Sequence, residues 1–228
     1  MRRTLVCVSV YGSDEDDLGR RVSYALSRGG DLAEARLDLT GVSSWERVYT
    51  VLKPFSEKLI LTLRPVDEGG KSMLTDSERL SVLAQLCRMR PAYVDIELKT
   101  AKNNDLGVLK QGCRLIVSWH GGSTPDTEKL VETARECLRY GDVAKIVTFS
   151  NGAEDNLRMI MLYTHIPSER LVAFCMGEKG WITRIVSTAA GAPIAYAAMD
   201  EMATAPGQLP LTEMVRVRDR VWKGSGVF

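Results

Sequence analysis

Along the chain, short and nearly unbroken apolar runs alternate with longer segments whose apolar positions recur at helical spacing. The runs fall at residues 4–10, 32–38, 59–64, 93–98, 114–119, 143–148, 171–176 and about 193–198. Each is bounded by turn residues, the pattern of a parallel strand covered on both faces. The segments between them carry helix ends. Ser13 precedes Asp14, Glu15, Asp16 and Asp17; Leu18, Val22, Ala25 and Leu26 then share one face, and Gly29-Gly30 supplies a stop. Thr75 with Glu78 forms a capping box ahead of Leu80, Leu83 and Cys87. Thr124-Pro125, with acids at Asp126 and Glu128, opens a helix carrying Leu130, Ala134 and Leu138 that Gly141 ends. Eight strand–helix units at roughly 28 residues each, about the length of one βαβ step, account for the 228 residues. No linker or shift in composition divides the chain. The pattern therefore predicts the α/β class and one (β/α)8 TIM barrel, a single catalytic domain over residues 1–228. A doubly wound open sheet is the alternative, but its glycine fingerprint is missing after the first run, where Tyr11-Gly12-Ser13 stands.

Composition narrows the function. Hydrophobic residues make up 45% of the chain and charged residues 26%, which excludes a disordered or low-complexity scaffold. Thirty Lys+Arg against 29 Asp+Glu leave a net charge of +1, so no field draws the chain to nucleic acid or an anionic membrane, and neither is expected as a partner. No apolar run approaches the ~20 residues that span a bilayer. The opening MRRTLVCVSV is short, soon meets four consecutive acids and has no cleavage site, so it is not read as a signal peptide. Five cysteines, far apart and in apolar stretches, read as small buried hydrophobes in a reducing cytoplasm. Two histidines and no CxxC argue against structural zinc.

A barrel gathers its functional residues at the carboxyl ends of its strands. Glu34, Arg36 and Asp38 alternate along the second run, so they share one face. That face is either a polar cluster inside the barrel mouth or the wet side of an exposed edge strand. Arg64 ends the third run, with Glu68 in the loop beyond. Asp95 and Glu97 alternate on the fourth, either as site groups or as structural partners for the arginines. His120 follows the fifth run; a lone histidine there is more often structural than catalytic. Lys145 interrupts Val143-Ala144-Lys145-Ile146-Val147, and lysine is rarely buried without a reason. Burial, with cations such as Arg64 or Arg184 nearby, would favour its neutral amine, which can attack a carbonyl and form a Schiff base. The alternative is a packed stem with its head snorkelling to solvent. Other motifs fail. Gly70-Lys71-Ser72 lacks the first glycine of a phosphate loop, where Pro65 stands. Gly177 and Gly180 form half a dinucleotide fingerprint. Gly224-Ser225-Gly226 reads as a chain end rather than a nucleophile elbow, and His165 as a solvated or capping residue.

Taken in order, Glu34-Ala35-Arg36-Leu37-Asp38, Thr62-Leu63-Arg64-Pro65 leading to Glu68-Gly69-Gly70, and Ser118-Trp119-His120 resemble one family closely. Ala144-Lys145-Ile146, Met176-Gly177 leading to Thr183-Arg184, and residues 203–208 (ATAPGQ) continue the match. The chain resembles the type I 3-dehydroquinate dehydratases of the shikimate pathway over roughly residues 4–215. The resemblance implies a (β/α)8 fold, a homodimer, and 3-dehydroquinate as a small-molecule substrate with no metal or dissociable cofactor. It assigns Lys145 as the Schiff-base lysine, His120 as general acid/base and Glu68 as the carboxylate paired with it. Arg184 would bind the substrate carboxylate, while Glu34, Arg36, Arg64, Thr204 and Gln208 would hold hydroxyls and ring. Several departures accompany it. The barrel is expected to lack an extended N-terminal hairpin, Ala35 stands where an aromatic is common, and Thr204 replaces a frequent serine. Tyr196 or a nearby alanine would replace an aromatic beneath the substrate. The loop with Ala203, Ala205 and Gly207 is expected to act as a mobile lid. Two rivals are a non-catalytic sensor, which should have lost Lys145 or His120, and another Schiff-base barrel, which should offer a phosphate cradle.

Overall fold

All eight apolar runs are strands: β1 (Leu5–Val10), β2 (Leu32–Arg36), β3 (Leu59–Thr62), β4 (Tyr93–Glu97), β5 (Arg114–His120), β6 (Val143–Phe149), β7 (Leu171–Met176) and β8 (Ile194–Ala198). In this computed structural model, which describes residues 3–199 and 207–224, they form one sheet ordered β7-β6-β5-β4-β3-β2-β1-β8, parallel throughout. The order runs in one direction and β8 returns beside β1. A doubly wound sheet would reverse part-way, so this is the (β/α)8 barrel. Among the described residues no ladder joins β7 to β8. Phe174 and Tyr196 span that seam, their ring centroids 6.3 Å apart. Outside the sheet lie α1 (Glu15–Ser27), α2 (Trp45–Leu52), α3 (Asp76–Leu86), α4 (Leu98–Asn103), α5 (Gly107–Gly112), α6 (Thr127–Tyr140), α7 (Ala153–Met161), α8 (Trp181–Ala189) and α9 (Leu211–Gly224). None is long and apolar enough to cross a membrane.

Strand alternation divides the core in two. Outward residues such as Val6, Val8, Ala33, Ala35, Leu61, Val94 and Ile146 pack under the helices. Inward residues Cys7, Leu32, Ile60, Tyr93, Ile116, Val143, Val172 and Ile194 fill the barrel floor. Two residues further along six of those strands, the inward position turns polar: Ser9, Glu34, Thr62, Asp95, Ser118 and Lys145. All six are buried. The barrel is thus oily at the amino ends of its strands and charged toward the carboxyl ends, where barrel chemistry belongs.

The helix ends differ in detail from expectation. Asp14, not Ser13, caps α1, its side chain accepting from the Asp17 amide. The capping box at Thr75 and Glu78 forms in full. Asp126 caps α6. Thr124 instead turns inward to bond the Thr148 hydroxyl and the Phe149 carbonyl at the end of β6. His165 is exposed, as expected of a solvated residue. Ser225 and Gly226 lie outside the described residues.

Candidate active site

β2 runs between β1 and β3, so its charges do not sit on a wet edge. Glu34 is buried: its Oε2 accepts from Ser9 at 2.5 Å, and its Oε1 from Thr62 at 3.0 Å. The strand ends at Arg36, and Asp38 lies in the turn beyond, still gripping the Arg36 guanidinium with two bonds of 2.9 and 2.8 Å.

Lys145 is 5% exposed and its head does not snorkel out. Nζ donates to Asp95 Oδ2 at 2.8 Å and to Glu34 Oε1 at 3.4 Å, and stands 4.2 Å from the centre of the Tyr196 ring. The reading from sequence placed cations beside this lysine. Its contacts are instead two carboxylates: Ser118 stands opposite Lys145 in the β5–β6 register, and the Asp95 carboxylate that takes the Ser118 hydroxyl also takes Nζ. Tyr196, one of the two candidates for the aromatic beneath the substrate, lines the floor of the site.

Asp95 is the hub of the interior. Besides Lys145 it accepts from Ser118 at 2.6 Å and from Arg64 at 2.8 Å. Burial alone would raise its carboxyl, but Arg64 and Lys145 outweigh that and hold it well below the usual carboxylate range. Burial likewise opposes ionisation of Glu34, and Lys145 overcomes it, lowering that carboxyl too. Arg64 is enclosed by acceptors: Asp95, the Ser118 hydroxyl at 3.0 Å and Glu97 at 3.2 Å. From outside the barrel, Arg79 of α3 reaches Glu97 at 2.8 Å and also bonds Asp76 and Thr100. Charges of alternating sign therefore run from Asp76 through Arg79, Glu97, Arg64 and Asp95 to Lys145. Asp95 and Glu97 are structural partners of arginines, and Asp95 is also a site group.

Arg64 Nη1 lies 3.3 Å from His120 Nδ1. A guanidinium can only donate, so this contact leaves the imidazole neutral with its proton on Nε2. Burial first, and then the positive charges of Arg64 and Lys145, hold the ring's pKa well below its ordinary value. Glu68 Oε2 stands 3.5 Å from the same Nδ1, too far for a good hydrogen bond, and has no partner. Burial pushes the Glu68 carboxyl up to about 7. Its loop depends on two glycines. Gly69 adopts a left-handed φ of 78°, and a Cβ on Gly70 would fall 2.1 Å from the Arg64 carbonyl oxygen. The chain therefore folds tightly back over the end of β3 and brings Glu68 to the mouth.

Arg184 comes from α8 and is 3% exposed. Its guanidinium carbon lies 4.0 Å from the Phe174 ring centre, and neither Nε nor Nη1 has a hydrogen-bond partner among the described residues. Burial lowers its pKa to about 10. Unlike Arg36, Arg64 and Arg79, it faces no carboxylate among those residues. A buried cation in that state can receive an anion, and the fork of a guanidinium can bond a carboxylate bidentately.

Glu34, Arg36, Arg64, Glu68, His120, Lys145, Arg184 and Gln208 all line one cavity of about 330 Å³. The model of the family described as Type I 3-dehydroquinase matches residues 6–220. The chain belongs to that family. It is similar to the 3-dehydroquinate dehydratase of Thermococcus onnurineus, 40% identical over 217 residues covering 90% of this chain and 94% of that one. It is also similar to the Pyrococcus abyssi 3-dehydroquinate dehydratase, 38% identical over 87% of this chain and 91% of that one. The crystal structure of the Geobacillus kaustophilus 3-dehydroquinate dehydratase superposes with a TM-score of 0.85 at 26% identity, covering 96% of this chain and 91% of that one. The chain is therefore an enzyme, a lyase of the shikimate pathway that dehydrates 3-dehydroquinate.

Of the site residues expected from the sequence, Thr204 lies outside the described residues, and so do Ala203, Ala205 and Pro206 of the expected lid segment. Ser9, Thr62 and Ser118 bond the Glu34 and Asp95 carboxylates at this cavity. Their signal was present in the inward alternation of each strand, but the register that makes them neighbours was not. Tyr196 Oη is buried without a hydrogen-bond partner among the described residues, as is Glu68 Oε2. Both, with Arg184, are polar groups that a ligand in the cavity would satisfy.

Proposed function

We propose that the dehydratase works through an imine on Lys145, with His120 moving the protons and Glu68 governing the state of His120. His120 first takes a proton from the Lys145 ammonium; the freed Nζ attacks the C3 ketone of 3-dehydroquinate, and His120 returns the proton to the carbinolamine hydroxyl, which leaves as water and gives the imine. Once protonated, the imine is a far stronger electron sink than the ketone, so the neighbouring C2–H becomes acidic. His120 takes that proton and returns one to the C1 hydroxyl, which departs as water. Hydrolysis of the imine frees Lys145 and 3-dehydroshikimate.

The observation that carries this reading is the contrast between two buried cations in one cavity. Lys145 is oriented by Asp95 and Glu34, whereas Arg184 has no counter-ion among the described residues. One is aimed and the other waits for an anion, an arrangement suited to a substrate that carries a carboxylate and a carbonyl. Glu34, Arg36 and Gln208, with Thr204, then hold the hydroxyls and ring. Arg64, whose donors are already engaged, acts mainly by fixing Asp95 and His120.

The enzyme acts in the cytoplasm as a homodimer. The solvent side of α7 and α8 supports the dimer: Leu157, Met161, Trp181 and Ile182 are exposed there. Light scattering should return the mass of two chains, and a single-chain mass at micromolar concentration would refute the dimer. Lys145→Ala tests the chemistry. Arg64 still holds Asp95 in that variant, so it should fold at reduced stability and lose dehydration by several orders of magnitude. Turnover near that of the parent would exclude the imine route.

A further inference from the structure

Far from the mouth, the fold brings together two cysteines that the chemistry above does not use. Cys87 opens the short 3-10 turn Cys87–Met89 at the end of α3, and Cys113 lies between α5 and β5. Their sulfurs are 2.9 Å apart. That is closer than two unbonded sulfurs rest and longer than the ~2.05 Å of a disulfide. The backbone permits the approach because residue 112 has no side chain. A Cβ on Gly112 would lie 3.2 Å from the Cys87 carbonyl oxygen and 3.4 Å from its Cβ.

The two thiols are unequal. Cys87 is buried and Cys113 only half-buried. The hydrogen bond between them holds the Cys113 thiol below its ordinary value and the Cys87 thiol above. Cys7, Cys137 and Cys175 are buried, and burial pushes each of those thiols up. Cys113 is thus the reachable nucleophile, and Cys87 stands behind it as the resolving thiol.

We propose that Cys87 and Cys113 form a reversible disulfide, a redox modification site that ties the end of α3 to the amino end of β5. The oxidant is a low-molecular-weight disulfide. The Cys113 thiolate attacks one sulfur of that reagent, forming a mixed disulfide and releasing one thiolate. Cys87 then loses its proton and attacks Cys113 Sγ, breaking the mixed bond and releasing the second. Two protein thiols are oxidised, one reagent disulfide is reduced, and the two protons end on the two released thiols. His120 closes the opposite end of β5, so the bond staples the barrel floor and leaves the cavity untouched.

The test uses the full chain with oxidised glutathione, counting alkylatable thiols after denaturation and mapping the linked peptides. Three of the five cysteines should remain alkylatable, with one Cys87–Cys113 cross-link. Closing a loop of this length should raise the melting temperature by roughly 5 to 10 °C. Turnover should not change, and dithiothreitol should reverse the effect. Cys87→Ala, which cannot resolve, should accumulate glutathione on Cys113. Five alkylatable thiols after treatment, a persistent glutathione adduct on the unsubstituted chain, or a cross-link between another pair would each overturn the proposal. If Cys87→Ala does not fold, the thiol count on the unsubstituted chain still decides.

Discussion

In the proposed mechanism, His120 and Glu68 divide one task between two groups that would each do it poorly alone. Burial and Arg64 keep the imidazole neutral across the physiological range, so His120 itself does not supply a titration near pH 7. Glu68 does, because burial brings its carboxyl up to about 7. While Glu68 is protonated, Arg64 fixes the Nδ1 lone pair and the proton stays on Nε2. An ionised Glu68 accepts from Nδ1–H, which moves the lone pair to Nε2 and makes His120 a base. In this mechanism the ionised form is the active one, so kcat/KM should rise as pH increases through about 7. Glu68→Gln should lose that rising limb and fall in kcat by roughly 10²- to 10⁴-fold. A pH–rate profile of the variant that overlays the parent would remove Glu68 from this role. At this scale the sequence was most legible where a residue contradicts its surroundings. Lys145 in an apolar run is such a case. Its neighbours were not legible, since cations and carboxylates both occupy nearby strand ends and only the register says which one meets Nζ.

The elements themselves were readable because each strand and each helix obeys its own period. All eight runs are strands, and the box at Thr75 forms as its spacing predicts. The discrepancies are local. Ser13 and Thr124 have the chemistry of caps, but an aspartate one or two residues later takes the position in each case. The longer reach of its carboxylate leaves the first residue free for other bonds. What the strand pattern could not show is how neighbouring strands are tied from inside. Asp95 on β4 binds Ser118 on β5, Lys145 on β6 and Arg64 just past β3. Asp95→Asn would leave two buried cations short of a counter-charge and should cost about 3 kcal/mol, a fall of roughly 6 to 12 °C in Tm. The sign with pH follows from the lowered carboxyl. Its stabilisation is complete above the ordinary value of 3.8 and is lost as pH falls below it. Thermal melts of parent and variant at neutral pH and near pH 3 check both points. An equal gap at the two pH values would contradict the assignment.

Across the whole molecule, the same inward positions that seal the barrel floor with apolar side chains carry the charges at its mouth. Two adjacent layers, two residues apart on each strand, serve as core and as site. Polar pairing ties the charges of the upper layer to one another, whereas Arg184 faces no carboxylate among the described residues and Glu68 Oε2 has no hydrogen-bond partner among them. The (β/α)8 architecture was legible from the count and spacing of the runs. The seam between β7 and β8, closed by Phe174 and Tyr196, was not, because both strands look as complete as the others in sequence. The central claim is that this mouth presents Lys145 to a ketone. Borohydride trapping with 3-dehydroquinate, followed by intact mass and peptide mapping, tests it most directly. The account predicts one ligand-dependent reduced adduct per chain, on Lys145 and on no other lysine. Folded, active protein that yields no adduct, or an adduct on a different lysine, would contradict it.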